Sequence, residues 1–252
     1  MHHLNSHLLG QFPQILHTFS TRHGGQSQTP YNSNNIAFHV GDDEKDVLIN
    51  HQHLAADLDY DLNRLIHMRQ IHSDHVMIVD DTFDFTSPPE CDALVTNTPE
   101  LPLMVMVADC TPILLYDPKQ QVIAAVHAGR AGAFKNILSK TVTAMHDSFQ
   151  SNPADIIAVL GASICQSCYE VNKSIYEEAK RVKLDYALQK REEKYFLAVK
   201  AILHKQLVQA GVRNENIEDI DRCSACEHAH FFSYRADRGI TGRMAGLIML
   251  KR

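Results

Sequence analysis

The stretch VADCTPILLYDPKQQVIAAVHAGRAG, residues 107–132, ends one apolar run on Asp109 and Cys110 and the next on His127, with Gly129 and Gly132 close behind. At a strand end the backbone leaves the sheet, and a side chain can enter a cleft instead of the core. A thiol and an imidazole delivered to two such ends support two chemistries. His127 could activate Cys110 as a nucleophile, with no metal required. Alternatively both are metal ligands, and RQIHSDHV supplies two more imidazoles, His72 and His75, just ahead of the run VMIV. His72, Cys110 and His127 then form three zinc-competent ligands scattered along the chain. That pattern suits a catalytic centre with one open position better than a closed four-ligand site. Spacing alone leaves the nucleophile and the metal readings both open.

Two further cysteine pairs, Cys165-x-x-Cys168 and Cys223-x-x-Cys226, have the spacing of a four-cysteine zinc site. The first follows a Gly-Ala-Ser turn and the second precedes EHAHFFSYR, and neither has the compact knuckle surroundings of a zinc ribbon. Both pairs are therefore expected as local thiols without metal. Arg22 beside Gly24 and Gly25, and Arg235, Arg238 and Arg243 around Gly239 and Gly242, combine flexible backbone with guanidinium groups that suit phosphate or a carboxylate. Neither stretch matches a P-loop or a dinucleotide fingerprint. Sixteen histidines exceed what one site needs, so most are expected to be structural or superficial.

The elements that must position these residues read as buried strands mixed with helices. LPLMVMVADC, PILLYD, QQVIAAVHAG, DIIAVLGASI and HVMIVDD are short apolar or β-branched runs of strand character. In GAFKNILSKTVTAMHDSF, residues Phe134, Ile137, Leu138, Val142 and Met145 recur every three or four positions, which predicts one amphipathic helix after the His127 strand. NKSIYEEAKRV and YFLAVKAILHKQLVQAGV read likewise, the second ending at a C′ glycine, Gly211. Strands outnumber helices without regular alternation. An α/β fold of mixed α+β character is expected: a mixed sheet or sandwich of sheets with flanking helices, in one domain spanning residues 1–252.

The chain has 252 residues, 44% of them hydrophobic and 21% charged, and a formal charge of -6. That charge carries no electrostatic footprint for nucleic acid. No run approaches membrane-spanning length and the first residues lack a secretory pattern, so a cytoplasmic protein with reduced thiols is expected.

Eight segments in chain order, FSTRHGGQS, NNIAFHVGDD, RQIHSDHV, CDALVT, ADCTPILLYD, AAVHAGRAG, GASICQSCYEV and FFSYRADRGITGR, resemble the YfiH family of laccase-domain proteins. That family was long labelled multicopper polyphenol oxidase and is now regarded as purine nucleoside phosphorylase. The resemblance implies zinc ligation by the His of Gln-x-His, the Cys of Ala-Asp-Cys and the His of His-Ala-Gly, here His72, Cys110 and His127. These three would form the catalytic centre. It also implies a fold like that of a cysteine-hydrolase superfamily, and phosphorolysis of adenosine, inosine, guanosine and S-methyl-5'-thioadenosine together with adenosine deamination. Arg22, Arg235 and Arg243 become candidates for phosphate, and Asn35 and His39 for the wall of the same cleft. The family's Trp-Arg after His-Ala-Gly is replaced here by Arg130-Ala131, and its Pro after Gly161 by Ala162. Partners are thus nucleosides and phosphate, for a monomer or a homodimer. The rival readings are a copper-dependent polyphenol oxidase, disfavoured because His51-x-His53 and His228-x-His230 are isolated pairs, and a non-enzymatic metal or redox sensor using Cys110.

Overall fold

The computed structural model describes residues 3–252. Its strands are β1 (His3–Leu4), β2 (Ile15–Ser20), β3 (Ile66–His67), β4 (Val76–Ile78), β5 (Ala93–Thr96), β6 (Leu103–Val107), β7 (Thr111–Asp117) and β8 (Val122–Ala128). They continue as β9 (Ile157–Leu160), β10 (Glu170–Val171), β11 (Leu188–Arg191), β12 (Lys194–Leu197), β13 (Ile217–Asp219) and β14 (Met244–Leu250). The helices are α1 (Glu44–Leu58), α2 (Arg130–Phe134), α3 (Ile137–Phe149), α4 (Lys173–Arg181) and α5 (Val199–Gln209).

The strands form a five-stranded sheet in the order β1-β2-β14-β6-β3, a six-stranded sheet β13-β9-β7-β8-β5-β4 and a small sheet β10-β12-β11. Both large sheets mix parallel and antiparallel pairs, β3 with β6 and β4 with β5 being parallel. Alternation along each strand explains the layering, because successive side chains point to opposite faces. Leu103, Val105 and Val107 of β6 join Leu114 and Tyr116 of β7 and Ile123 and Ala125 of β8 in the core between the large sheets. The intervening Ile113, Leu115, Ala124 and Val126 face outward onto Leu138, Val142, Ile202 and Leu203 of α3 and α5. On the opposite side, Met104 and Met106 pack with Leu54 and Ala55 of α1. The result is the expected mixed α/β sandwich, helix layer on sheet on sheet on helix layer.

Two helix boundaries differ from the periodic pattern. The helix expected to run on from Gly132 breaks at Asn136, which adopts φ 65°, so α2 and α3 are separate. Asn tolerates this left-handed conformation better than most residues. The helix expected from Tyr195 starts only at Val199. Tyr195, Phe196 and Leu197 pair instead with Lys190, Gln189 and Leu188 of β11, as suits aromatic and aliphatic side chains on a half-covered sheet. Gly211 does occupy the C′ position after α5, at φ +99°. No helix among the described residues is long and apolar enough to cross a membrane.

Candidate active site

The hairpin of β7 and β8 brings the thiol and the imidazole together. Thr111 pairs with Ala128 and Pro112 with His127, so Cys110, immediately before β7, lands beside the end of β8. The third member arrives from the loop between β3 and β4. Gln70 clips this loop to β6 through two 2.8 Å hydrogen bonds, its Nε2 donating to Met106 O and its Oε1 accepting from Met106 N. His72 follows at φ 55°, and its ring meets that of His127 edge to face with centroids 4.9 Å apart. The ligand atoms of His72, Cys110 and His127 all lie within 4.8 Å of one another. Gly129 makes this approach possible, since a Cβ there would stand 2.7 Å from Cys110 Sγ.

Asp92, at the start of CDALVT, organises the group although nothing in its spacing marked it. Its Oδ1 accepts from His127 Nδ1 at 2.8 Å and from the His72 N–H at 3.1 Å. Its Oδ2 accepts from the Ser73 N–H at 2.6 Å and the Ser73 hydroxyl at 2.7 Å. With Nδ1 committed to Asp92, the remaining ring nitrogen of His127 is the one left for Cys110. Burial alone would raise the Cys110 thiol, but the charge and hydrogen bond of His127, joined by those of His72, bring it down to about 6. Burial opposes the charge on His127 too, and the Cys110 thiolate and Asp92 outweigh it, lifting the imidazole to about 9. Asp92 is itself held at about 2, hydrogen bonds from His127 and Ser73 overcoming its burial. The trio runs from buried His127 through half-buried Cys110 to exposed His72. One thiolate and two imidazoles, with one side facing solvent, fit zinc and also suit copper.

The group forms the floor of a cavity of about 450 Å³ whose walls include His39, Tyr169, Tyr234, Arg235 and Arg243. His39 is held below its ordinary value by burial and then by the charge of Arg243, which favours its neutral form. Arg22 and Asn35, expected at the same cleft, are not among its lining residues. Arg22 donates through Nε to Asn32 O and through a terminal nitrogen to His228 O, away from that lining. Asn35 is fully buried; its amide donates to Ala37 O and Asp42, and its oxygen accepts from the Ala37 and Arg243 N–H groups. It therefore fixes the backbone of Arg243 rather than touching the cavity.

Asp109 is a second residue whose role the sequence did not reveal. At φ 84° it occupies a region costly for any residue but glycine, and three hydrogen bonds hold it there. Oδ1 accepts from the hydroxyls of Ser224 and Ser233, both at 2.7 Å, and Oδ2 from the Arg235 N–H at 2.6 Å. The segment bearing Arg235 is thereby fastened to the residue before Cys110. The two cysteine pairs, expected as local thiols without metal, converge: the sulfurs of Cys165, Cys168, Cys223 and Cys226 lie within 4.8 Å of one another.

Residues 16–251 match the protein family described as multi-copper polyphenol oxidoreductase laccase. The chain is 37% identical to a purine nucleoside phosphorylase of Corynebacterium glutamicum, over 93% of this chain and 94% of that one. It is 31% identical to the purine nucleoside phosphorylase YlmD of Bacillus subtilis, over 94% of this chain and 89% of the relative. Among solved structures, the hypothetical protein YfiH of Bacillus licheniformis superposes with a TM-score of 0.91 at 35% identity, covering 94% of this chain and 93% of the other. YlmD of Geobacillus stearothermophilus gives the same TM-score at 31% identity, with 96% and 93% covered.

Proposed function

Since the chain belongs to the multi-copper polyphenol oxidoreductase laccase family, among whose members its curated relatives carry the name purine nucleoside phosphorylase, we propose that it is a zinc-dependent purine nucleoside phosphorylase. Its substrates in this reading are adenosine, inosine, guanosine and S-methyl-5'-thioadenosine, with adenosine deamination as a second activity. The carrying observation is the juxtaposition of the His72, Cys110 and His127 group with the guanidinium groups of Arg235 and Arg243 in one cavity. The whole chain, residues 1–252, acts as one catalytic unit, because that cavity draws on residues from His39 to Arg243. Its substrates are metabolites of the cytoplasm, where free cysteines are also stable.

Phosphorolysis forms a bond between a phosphate oxygen and the anomeric carbon as the bond from that carbon to the purine nitrogen breaks. The electron pair leaves with the purine, which takes up a proton, and ribose 1-phosphate remains, or its 5-methylthio analogue when the substrate is S-methyl-5'-thioadenosine. Zinc held by His72, Cys110 and His127 supplies Lewis acidity at the cavity floor. Arg235 and Arg243 bring the positive charge that a phosphate requires. Tyr169 and Tyr234 offer aromatic surface to a purine. Neutral His39 can donate to or accept from a ribose hydroxyl or a ring nitrogen. Asp92 keeps the His127 ring oriented, and the loops around Asp109 keep Arg235 close to Cys110.

A copper polyphenol oxidase needs several clustered imidazoles. Among the described residues the metal-competent groups contain only two, His72 and His127. The test is to incubate zinc-loaded protein with each nucleoside and orthophosphate, and to follow free base, the corresponding sugar 1-phosphate and, with adenosine, ammonia. Base release that requires phosphate and ceases when zinc is stripped is expected. Copper-dependent oxidation of phenols without nucleoside turnover would overturn the reading.

A further inference from the structure

The convergence of the two Cys-x-x-Cys pairs has a definite architectural origin. Cys165 precedes and Cys168 ends a helical turn at Gln166–Cys168 after β9, and Cys223 and Cys226 follow β13, the parallel neighbour of β9. The two exits continue side by side: Ser163 bridges to Cys223, the Ser163 N–H donates to Arg222 O, and the Ser224 N–H donates to Ser163 O. Four thiols from sites far apart in sequence are thus seated in one corner.

Their geometry fits a metal better than disulfides. Cys168 Sγ stands 3.3 Å and Cys165 Sγ 3.9 Å from Cys226 Sγ. A disulfide requires about 2.05 Å. Tetrahedral zinc with thiolates at about 2.3 Å spaces its sulfurs by about 3.8 Å. Two backbone N–H groups, those of Cys165 at 3.2 Å and Cys226 at 3.4 Å, point at Cys223 Sγ. Such donors stabilise a thiolate over a thiol and orient it for ligation. Each pair also has the two-residue spacing used by structural zinc sites.

We propose that Cys165, Cys168, Cys223 and Cys226 form a second metal centre, a closed tetrathiolate zinc site that is structural and distinct from the His72, Cys110 and His127 group. It joins the two loops that build one wall of the cavity. Ile164 and Tyr169 flank the first pair, and Tyr234 and Arg235 follow the second, all lining the cavity. The Arg235 guanidinium already crosses between these loops, donating to Cys168 O at 3.4 Å and Glu170 O at 2.9 Å and lying over the Tyr169 ring at 5.4 Å. Ser224, next to Cys223, reaches Asp109 beside Cys110. The zinc fixes this wall without touching substrate, so its existence does not depend on the nucleoside reading.

The test is metal analysis with X-ray absorption at the zinc edge on a His72→Ala, Cys110→Ser, His127→Ala triple variant. It should retain one zinc per chain with four sulfur ligands at about 2.3 Å. In the Cys223→Ser, Cys226→Ser double variant that equivalent should be lost and the thermal midpoint should fall by several degrees. Should either variant fail to fold, wild-type protein still decides, since its absorption spectrum must contain a four-sulfur zinc environment. A metal-free triple variant, iron at the four sulfurs, or an intact mass lowered by disulfide formation at these cysteines overturns the proposal.

Discussion

Asp92 grips His127 twice: its side chain accepts from Nδ1 at 2.8 Å, and its backbone carbonyl accepts from the His127 N–H, also at 2.8 Å. The same carboxylate closes the turn that presents His72, through the His72 and Ser73 N–H groups. One buried anion therefore sets both imidazoles around Cys110. Asp92→Asn preserves size but removes the charge and leaves an amide whose hydrogens compete with the Ser73 donors. Zinc affinity at the trio should fall about 10- to 100-fold, the usual cost of losing a carboxylate behind a metal-bound histidine. Competition with a calibrated chelator measures it; an unchanged affinity would show that the turn alone positions the ligands.

Arg130 and Ala131 open α2 directly beside the site. Arg130 pairs with Glu178 at 3.3 Å, lies over Phe134, and helps line a recess shared with Asp109, Cys110, Gly129 and Tyr169. A tryptophan at 130 adds a large aromatic face to that recess, and an arginine at 131 moves the positive charge by one position. The Arg130→Trp, Ala131→Arg double variant should change the relative kcat/KM values for adenosine, inosine and guanosine while metal content stays constant. Identical ratios in steady-state assays would make this pair peripheral to substrate choice.

His51 links α1 to the segment that carries His39 into the cavity. It is almost fully buried, its Nε2 hydrogen-bonds to Ile36 O at 2.8 Å, and its ring stacks on Phe38. Burial lowers it from 6.5 to about 4, only partly offset by the Ile36 carbonyl. Because the folded value lies below the unfolded one, the unfolded chain binds the extra proton, and this stability is present above pH 6.5 and lost as pH falls toward 4. Between pH 7.5 and 5 the loss from this group is about 2 kcal/mol. Urea unfolding of wild type and His51→Asn at both pH values should show the variant losing less by about that amount. Equal losses would place the acid sensitivity elsewhere.

The strands around the site were legible because β6, β7 and β8 are buried on both faces and leave unbroken apolar runs. Cys110 and His127 stood out for the same reason, as polar residues where such runs stop. Asp92 was hidden: one carboxylate before an apolar run looks like an ordinary strand boundary, and its partners Ser73 and His127 are distant in sequence. The convergence of the four cysteines was hidden because each pair alone sits in an unremarkable turn, and only the parallel pairing of β13 with β9 joins them. Arg22 and Asn35 lie off the cavity lining. Their residue types suit a ligand, but partners distant in sequence, His228 O for Arg22 and the Arg243 N–H for Asn35, set where they sit.

Cys110 separates metal chemistry from thiol chemistry at the trio. Without metal, its thiol is acidified to about 6 by His127 and His72 despite burial, so the thiolate is already present at neutral pH. Iodoacetamide alkylation at this residue, followed by peptide mapping to distinguish it from the other cysteines, should rise with pH around 6 in stripped protein instead of near the ordinary 8.5. Zinc occupies the same sulfur, so loaded protein should alkylate slowly there, and zinc restored before alkylation should recover nucleoside turnover. Cys110→Ser should lose most activity together with zinc affinity, because a neutral hydroxyl is a far weaker ligand than a thiolate. Stripped protein that keeps full turnover while Cys110→Ser is inactive would instead identify Cys110 as a nucleophile activated by His127.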